Sequence, residues 1–222
     1  MKLHWSPRSP FVRKVMIAFH ECGLADSIER VRNPVTMQAP PNPKVIVDNP
    51  LGKIPVLVLD DGRVLFDSSV ICAYLDGISP ETGLIPKDFD RRIECLRWEA
   101  FGDGLMETLL LWRIEVGRGE HCSPVISDGF AVKVTAALAR LETEVPALDA
   151  RPFAIGHAAL LCALGQLDFR YPACGWHEAH PDLSAWQARH LTRPSLVATE
   201  VIDDRALNMG EVVMPLKLAP RA

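Results

Sequence analysis

The 222-residue sequence has no long basic run and no long apolar run, and these absences exclude several classes of protein. Lys and Arg total 24 against 28 Asp and Glu, which gives a formal net charge of −4. A net acidic chain without a basic cluster is a poor partner for nucleic acid or an anionic membrane surface. No apolar stretch approaches the roughly 20 residues that a membrane-spanning helix needs. We therefore expect a protein that binds neither nucleic acid nor membrane.

Cysteines are few and scattered, and none of the six forms a CxxC pair. Near the N-terminus, Arg8, Arg13 and Lys14 fall where a secretory signal peptide would carry its apolar run. We therefore expect reduced thiols, no disulfide framework and a cytoplasmic location. Hydrophobic residues make up 48% and charged residues 23%, which is typical of a globular protein with its own core.

The first 77 residues alternate short strand and helix patterns. The predicted elements are strands at 2–5, 28–32, 54–59 and 63–66, and helices at 11–22, at 45–48 and from 67 onward. The turn residues Asp60, Asp61 and Gly62 predict a hairpin between the last two strands. The order β-α-β-α-β-β-α indicates a mixed sheet with helices on its faces.

The rest of the chain carries helical patterns and no convincing strand. Residues 78–88 are rich in proline and glycine and predict a linker. Apolar residues recur at helical spacing over 93–112 and 130–148, a more uniformly apolar segment spans 153–169, and a further helix begins near 183. We therefore predict an α/β domain at 1–77, a linker at 78–88 and an all-helical domain at 89–222. The final residues, 211–222, show no clear pattern.

Three motifs in this order resemble the glutathione transferase superfamily. They are SPRSPFVRKV at residues 6–15, NPLGKIPVL at residues 49–57 and FDS at residues 66–68. The Ser-Pro-Phe-Val form resembles the serine-type transferases, and two further segments, IGH at 155–157 and LDFR at 167–170, resemble a little-characterised bacterial group. The resemblance covers nearly the whole chain. It implies a thioredoxin-like N-terminal domain followed by an all-helical domain, glutathione as co-substrate, a homodimer and a role in detoxification.

The resemblance places the catalytic hydroxyl at Ser9, directly before Pro10. A helix N-terminus has free N–H groups and a partial positive charge, and a hydroxyl beside it favours a thiolate by a charge-assisted hydrogen bond. Ser9 would donate to the glutathione sulfur without ionising itself. Alternatively, Ser9 is only the cap of the following helix, since Ser and Pro suit those two positions.

The resemblance also assigns the rest of the glutathione site. It implies a cis bond between Ile54 and Pro55, which turns the backbone of Ile54 towards the cysteinyl part of glutathione. Lys53 either reaches the glycyl carboxylate or is a solvated surface lysine. Ser68 would hold the γ-glutamyl carboxylate at a helix N-terminus, and Asp67 would accept from the ligand ammonium. Either residue is also a good helix cap, and the two roles are compatible.

Candidates for the second-substrate pocket follow on the first long helix of the helical domain. Met106, Leu110 and Arg113 lie on neighbouring helical faces, although packing within the bundle explains the apolar pair equally well. Asp103 precedes them, between two glycines. In several transferase classes an acidic residue there reaches glutathione across a dimer interface, and a solvated aspartate is the alternative.

Other polar residues favour structural roles. Cys174, His177 and His180 are ligand types but lack a fourth ligand, so we predict no metal site. His157 lies in an apolar helix and is expected to be a hydrogen-bonded core residue. Ala154 and His157 replace the Ser or Thr and the Asp of the superfamily's usual capping box, which predicts a less well capped helix.

These residues together imply a glutathione transferase whose thiolate attacks a hydrophobic electrophile. A glutathione-dependent isomerase or peroxidase would use the same thiolate and stays open. A non-catalytic binding module that keeps the fold is a further alternative.

Overall fold

The computed structural model of the protein describes residues 1–203. The four strands within these residues are β1 (Lys2–Trp5), β2 (Glu29–Arg32), β3 (Val56–Val58) and β4 (Val64–Leu65). The α-helices of this part of the chain are α1 (Pro10–Glu21), α2 (Pro43–Ile46), α3 (Ser68–Ile78), α4 (Phe89–Val116), α5 (Pro124–Asp149), α6 (Ile155–Arg170), α7 (Trp176–Ala179), α8 (Pro181–His190) and α9 (Pro194–Val197). Among the described residues every strand lies before residue 66, which confirms a mixed α/β domain followed by a helical one.

The sheet has the strand order β2-β1-β3-β4. Strand β1 runs parallel to β2 and antiparallel to β3, and β3 pairs antiparallel with β4. The predicted hairpin is present, because the N–H of Leu59 donates to the carbonyl of Arg63 at 2.9 Å and Gly62 takes the positive φ of 85° that the turn requires. This arrangement is the thioredoxin-like sheet that the resemblance implies.

The core of the helical domain is α6, the predicted central helix. Twelve of its 16 residues are buried. Helix α4 runs alongside it, and glycines permit the close approach. A Cβ added at Gly102 of α4 would lie 2.6 Å from the backbone of Ala159, and one at Gly156 of α6 would lie 2.6 Å from the carbonyl of Cys95. Both positions therefore exclude a larger residue.

The start of α6 lacks the usual capping box, as predicted. Ala154 makes no side-chain hydrogen bond to the helix. The carbonyl of Leu84 compensates in part, because it accepts from the N–H of Ile155 at 2.9 Å. His157 is 1% exposed, and its Nε2 lies 3.1 Å from the carbonyl of Leu148, which confirms a hydrogen-bonded core residue.

Helix ends differ from the periodicity-based prediction by several residues. Helix α4 begins after Asp88 and α5 begins after Ser123, and each of these side chains caps the first turn. Caps are polar and lie outside the apolar repeat, so the repeat alone does not report them. The short helices α7 and α9 were not predicted. Residues 211–222 lie outside the described part of the chain, and the domain limits at 77 and 89 stay predictions.

Candidate functional site

The three motifs of the sequence meet at one edge of the sheet, where the C-terminal end of β1 lies beside the N-terminal end of β3. Trp5 ends β1, and the register that pairs His4 with Val56 sets the residues after β1 opposite Ile54. The register that pairs Leu57 with Leu65 sets Asp67 opposite Pro55. The start of α1, the start of β3 and the start of α3 therefore lie side by side.

Ser9 is the N-cap of α1. Its Oγ accepts a hydrogen bond from the N–H of Val12 at 3.3 Å, and Pro10 is the first helical residue. The hydroxyl donates to no group within residues 1–203, and the side chain is half-buried. Ser9 can therefore cap the helix through its oxygen and donate its proton to a ligand at the same time.

The peptide bond between Ile54 and Pro55 is cis, as the resemblance implies. Asn49 holds the preceding turn, because its Nδ2 donates to the carbonyl of Lys53 at 3.0 Å and its Oδ1 accepts from the N–H of Leu51. The backbone N–H and carbonyl of Ile54 make no hydrogen bond within residues 1–203. The Lys53 ammonium is exposed and lies 3.9 Å from Glu107, so both roles considered for Lys53 stay open.

Asp67 and Ser68 form the beginning of α3. Oδ1 of Asp67 accepts from the N–H of Ser69 at 3.1 Å, which makes Asp67 the N-cap. Ser68 is 2% exposed, and as the first helical residue it has no intrahelical partner for its N–H. The N-terminal end of α3 thus offers an N–H group and a hydroxyl to an anion, with the exposed carboxylate of Asp67 beside them.

A buried charge cluster lies directly behind this edge, and the sequence reasoning missed it. The Lys14 ammonium donates to Glu99 at 2.9 Å, to Asp103 at 2.7 and 2.8 Å, and to Ser69 at 3.2 Å. Ser69 in turn donates to Asp103 at 3.0 Å. The side chain of Lys14 is fully buried. The solvated aspartate considered for Asp103 is therefore wrong.

The electrostatics of this cluster follow from one cation facing two carboxylates. Burial by itself lowers the pKa of Lys14, but the surrounding negative groups outweigh it, and the net direction is upward. The pKa of Asp103 is raised, because burial and the neighbouring Glu99 charge outweigh the hydrogen bonds from Lys14 and Ser69. Lys14 therefore stays charged, and it holds α1, α3 and α4 together through groups that only folding brings close.

The predicted second-substrate residues occupy different environments on α4. Met106 is fully buried in the core. Leu110 and Arg113 are half-buried and lie nearer the C-terminal end of the helix. Their role in binding a second substrate stays a prediction.

Two buried cysteines and His177 have structural surroundings. Burial raises the pKa of Cys95 and of Cys162 to about 11, so neither thiol is a ready nucleophile at neutral pH. His177 contacts Ser184 through Nδ1 at 2.8 Å and Asp168 through Nε2 at 2.9 Å. Within residues 1–203 no group of His, Cys, Asp and Glu has the arrangement of a metal site. No helix over the same residues is both long and apolar enough to cross a membrane.

The chain is similar in sequence to known proteins. Residues 8–78 match the model of the glutathione S-transferase N-terminal domain. Over 208 residues the chain is 31% identical to the uncharacterized GST-like protein YibF of Escherichia coli strain K12, a match that covers 90% of this chain and 98% of that protein. The chain therefore belongs to the glutathione S-transferase family.

Solved structures agree with this assignment. A glutathione transferase family member from Pseudomonas fluorescens Pf-5, crystallised with bound glutathione, is 40% identical with a TM-score of 0.87, and the match covers 91% of this chain and 99% of that one. A structure from the same organism with bound S-(propanoic acid)-glutathione is 38% identical with a TM-score of 0.82, covering 91% and 100% of the two chains.

Proposed function

We propose that this protein is a glutathione transferase, in which the thiolate of bound glutathione attacks an electrophilic carbon of a largely apolar second substrate. One observation carries the proposal. Hydrogen-bonding groups of three separate segments lie at one sheet edge and have no partner within residues 1–203: the Ser9 hydroxyl proton, the Ile54 backbone and the N–H of Ser68. An extended peptide fits such an edge as an added strand.

In the proposed complex each group meets one part of the tripeptide. The Ile54 backbone pairs with the cysteinyl residue, and Ser68 at the positive end of α3 holds the γ-glutamyl carboxylate. Asp67 accepts from the ligand ammonium. Ser9 donates to the sulfur, and this bond favours thiolate over thiol.

Two of the comparison structures support a glutathione ligand. One holds glutathione, and the other holds S-(propanoic acid)-glutathione, in which the sulfur already carries a carbon substituent. The second ligand favours conjugation over the isomerase and peroxidase alternatives. By its resemblance, the protein would act in detoxification in the cytoplasm.

Calorimetric titration with glutathione tests the proposal. We expect binding by the wild type and a loss of about 1–3 kcal/mol in Asp67→Ala, because the ligand ammonium loses its charged partner. Asp61→Ala is the matched control, since Asp61 lies in the exposed turn at the opposite end of the hairpin. A screen of electrophiles, peroxides and disulfides then identifies the reaction. A wild type that does not bind glutathione would contradict the proposal.

We also propose a homodimer. Large apolar side chains are exposed on α3 and α4, namely Val70 at 48%, Ile78 at 47%, Phe89 at 73% and Ile93 at 52%. Exposed apolar groups that form a contiguous patch mark an association surface, and a two-fold dimer is the commonest closed assembly. Sedimentation at micromolar concentration should give a species of about twice the chain mass, and a species at the 24.6 kDa of one chain would contradict it.

A further inference from the structure

The guanidinium of Arg13 is a buried cation with no partner among residues 1–203. Arg13 lies in α1 and is 9% exposed. Within residues 1–203 no group accepts a hydrogen bond from it or pairs with its charge, and its Nε is completely enclosed. Buried arginines are almost always paired, because an isolated charge is costly to remove from water. Arg97 and Arg193, which are more exposed, each hold a carboxylate through two nitrogens.

Arg13 lies one helical turn along α1 from Ser9, whose hydroxyl would contact the glutathione sulfur. Ser9 and Arg13 are four residues apart, so they share one face of the helix start. Long side chains on a helix point back over the preceding turn, which directs Arg13 towards Ser9. Helix geometry therefore places Arg13 on the same face of α1 as the hydroxyl that would contact the sulfur.

Helix α6 has a glycine, Gly165, where it contacts this guanidinium. A Cβ added at Gly165 would lie only 2.6 Å from Nη1 of Arg13, so any other residue would displace the group. Cys162, one turn earlier on α6, also feels the charge, because Arg13 acts to lower the pKa of that thiol although burial outweighs it. Gly165 thus keeps the cation between α1 and α6.

Neighbouring carboxylates do not neutralise Arg13. Glu99 and Asp103 both bind Lys14, the next residue of α1. These acids therefore belong to the adjacent cluster.

We propose that Arg13 binds a carboxylate of the second substrate, so that the enzyme selects small electrophiles whose apolar body carries a carboxylate next to the reacting carbon. The inference rests on the proposed function and names its substrate class. A guanidinium is planar and donates two parallel hydrogen bonds to a carboxylate, which suits recognition of this group better than a lysine would.

An α,β-unsaturated carboxylate shows how the cation would help the reaction. The thiolate sulfur forms a bond to the β-carbon, the π pair of the C=C bond moves to the α-carbon, and water supplies a proton there. Nothing is oxidised or reduced. Without a cation the carboxylate repels the incoming thiolate and opposes the charge that develops beside it. Arg13 would offset both effects.

Binding of two matched glutathione conjugates tests the proposal without requiring turnover. S-(2-carboxyethyl)glutathione and S-(2-carbamoylethyl)glutathione have nearly the same shape and differ in charge. We expect wild-type protein to bind the carboxylate at least about tenfold more tightly in calorimetry, the effect of one charge-assisted contact. Arg13→Gln should reduce this ratio to about one while the Kd for glutathione changes less than twofold. Arg92→Gln, at an exposed arginine of α4, should keep the wild-type ratio.

Several results would overturn the proposal. A wild-type ratio near one refutes it whether or not the variant folds, and a ratio unchanged in Arg13→Gln refutes it as well. An equal loss for both conjugates would assign Arg13 to the packing between the helices. If Arg13→Gln does not fold by circular dichroism, Arg13→Lys takes its place, and we expect a ratio between one and the wild-type value. Failure of the wild type to bind glutathione itself would instead refute the proposed function.

Discussion

Replacing Ser9 by alanine separates activation of the thiol from helix capping. Oγ of Ser9 accepts from the N–H of Val12, so its proton is available to a ligand sulfur. This donation acts on the thiolate far more than on the thiol. Ser9→Ala should therefore leave glutathione affinity nearly intact at low pH, where the ligand is a thiol, and should raise the pKa of the bound thiol.

The expected size follows from the strength of one hydrogen bond to a charged group. Such a bond contributes about 1.5–3 kcal/mol. One pKa unit corresponds to about 1.4 kcal/mol, so the pKa of the bound thiol should rise by about one to two units. A conjugation rate limited by thiolate should fall about 10- to 100-fold at neutral pH and should recover partly at higher pH.

The capping role alone predicts a different outcome. Loss of the N-cap should cost about 1 kcal/mol of stability without any effect on the bound thiol. Titration of thiolate absorbance in the two complexes distinguishes the roles, and thermal unfolding measures the cap.

Ser6→Ala is the matched control. Ser6 is buried nearby, and its backbone carbonyl accepts a hydrogen bond from the N–H of Ser9. Alanine retains this carbonyl. The same thiol pKa in wild type and Ser9→Ala would refute the reasoning and would move the activating group elsewhere.

Three further predictions concern stability. Lys14→Met should cost about 3–5 kcal/mol at neutral pH in chemical denaturation, because the buried Glu99 and the partly buried Asp103 lose their cation, and a loss under 1 kcal/mol would contradict a structural role for the cluster. Gly102→Ala should cost about 1–3 kcal/mol, since its Cβ would meet the backbone of Ala159, and wild-type stability would show that α4 and α6 separate without cost. Glu144 is 7% exposed, and burial by itself raises its pKa. The hydrogen bonds from Arg97, Trp98 and Arg140 have the larger effect, and together they lower the pKa from 4.5 to about 2. Its stabilisation, about 3 kcal/mol, should be complete above about pH 4.5 and disappear as pH falls towards 2. Glu144→Gln should therefore differ from wild type at neutral pH and converge with it in acid, and a constant difference would contradict the assignment.

Local sequence was sufficient to predict the residues at the sheet edge. Ser9, Pro10, Gly62 and Asp67 act within a few residues of their own positions, as caps and turn residues. Their roles are therefore visible in short motifs. The order of these motifs then predicted the fold.

The buried charges were not predictable in the same way. Lys14 meets Glu99 and Asp103 across 85 and 89 residues of chain. Nine of the 12 residues of α1 are buried, and the helix packs against α3 and α6, so its polar face is not solvated as an amphipathic pattern would indicate. The available signal was the spacing of Glu99 and Asp103, four residues apart on α4, which places two acids on one helical face.

The Lys14 cluster also constrains how this protein can be recombined. The lysine belongs to the first domain and both acids belong to the second. Each domain therefore lacks the counter-ions of its own buried charges when it is separated from the other. A chimera that joins this sheet domain to a relative's helices would inherit a buried ammonium without its counter-ions, unless the relative supplies acids at the same positions. Successful domain shuffling should therefore carry Lys14, Glu99 and Asp103 as one inherited set.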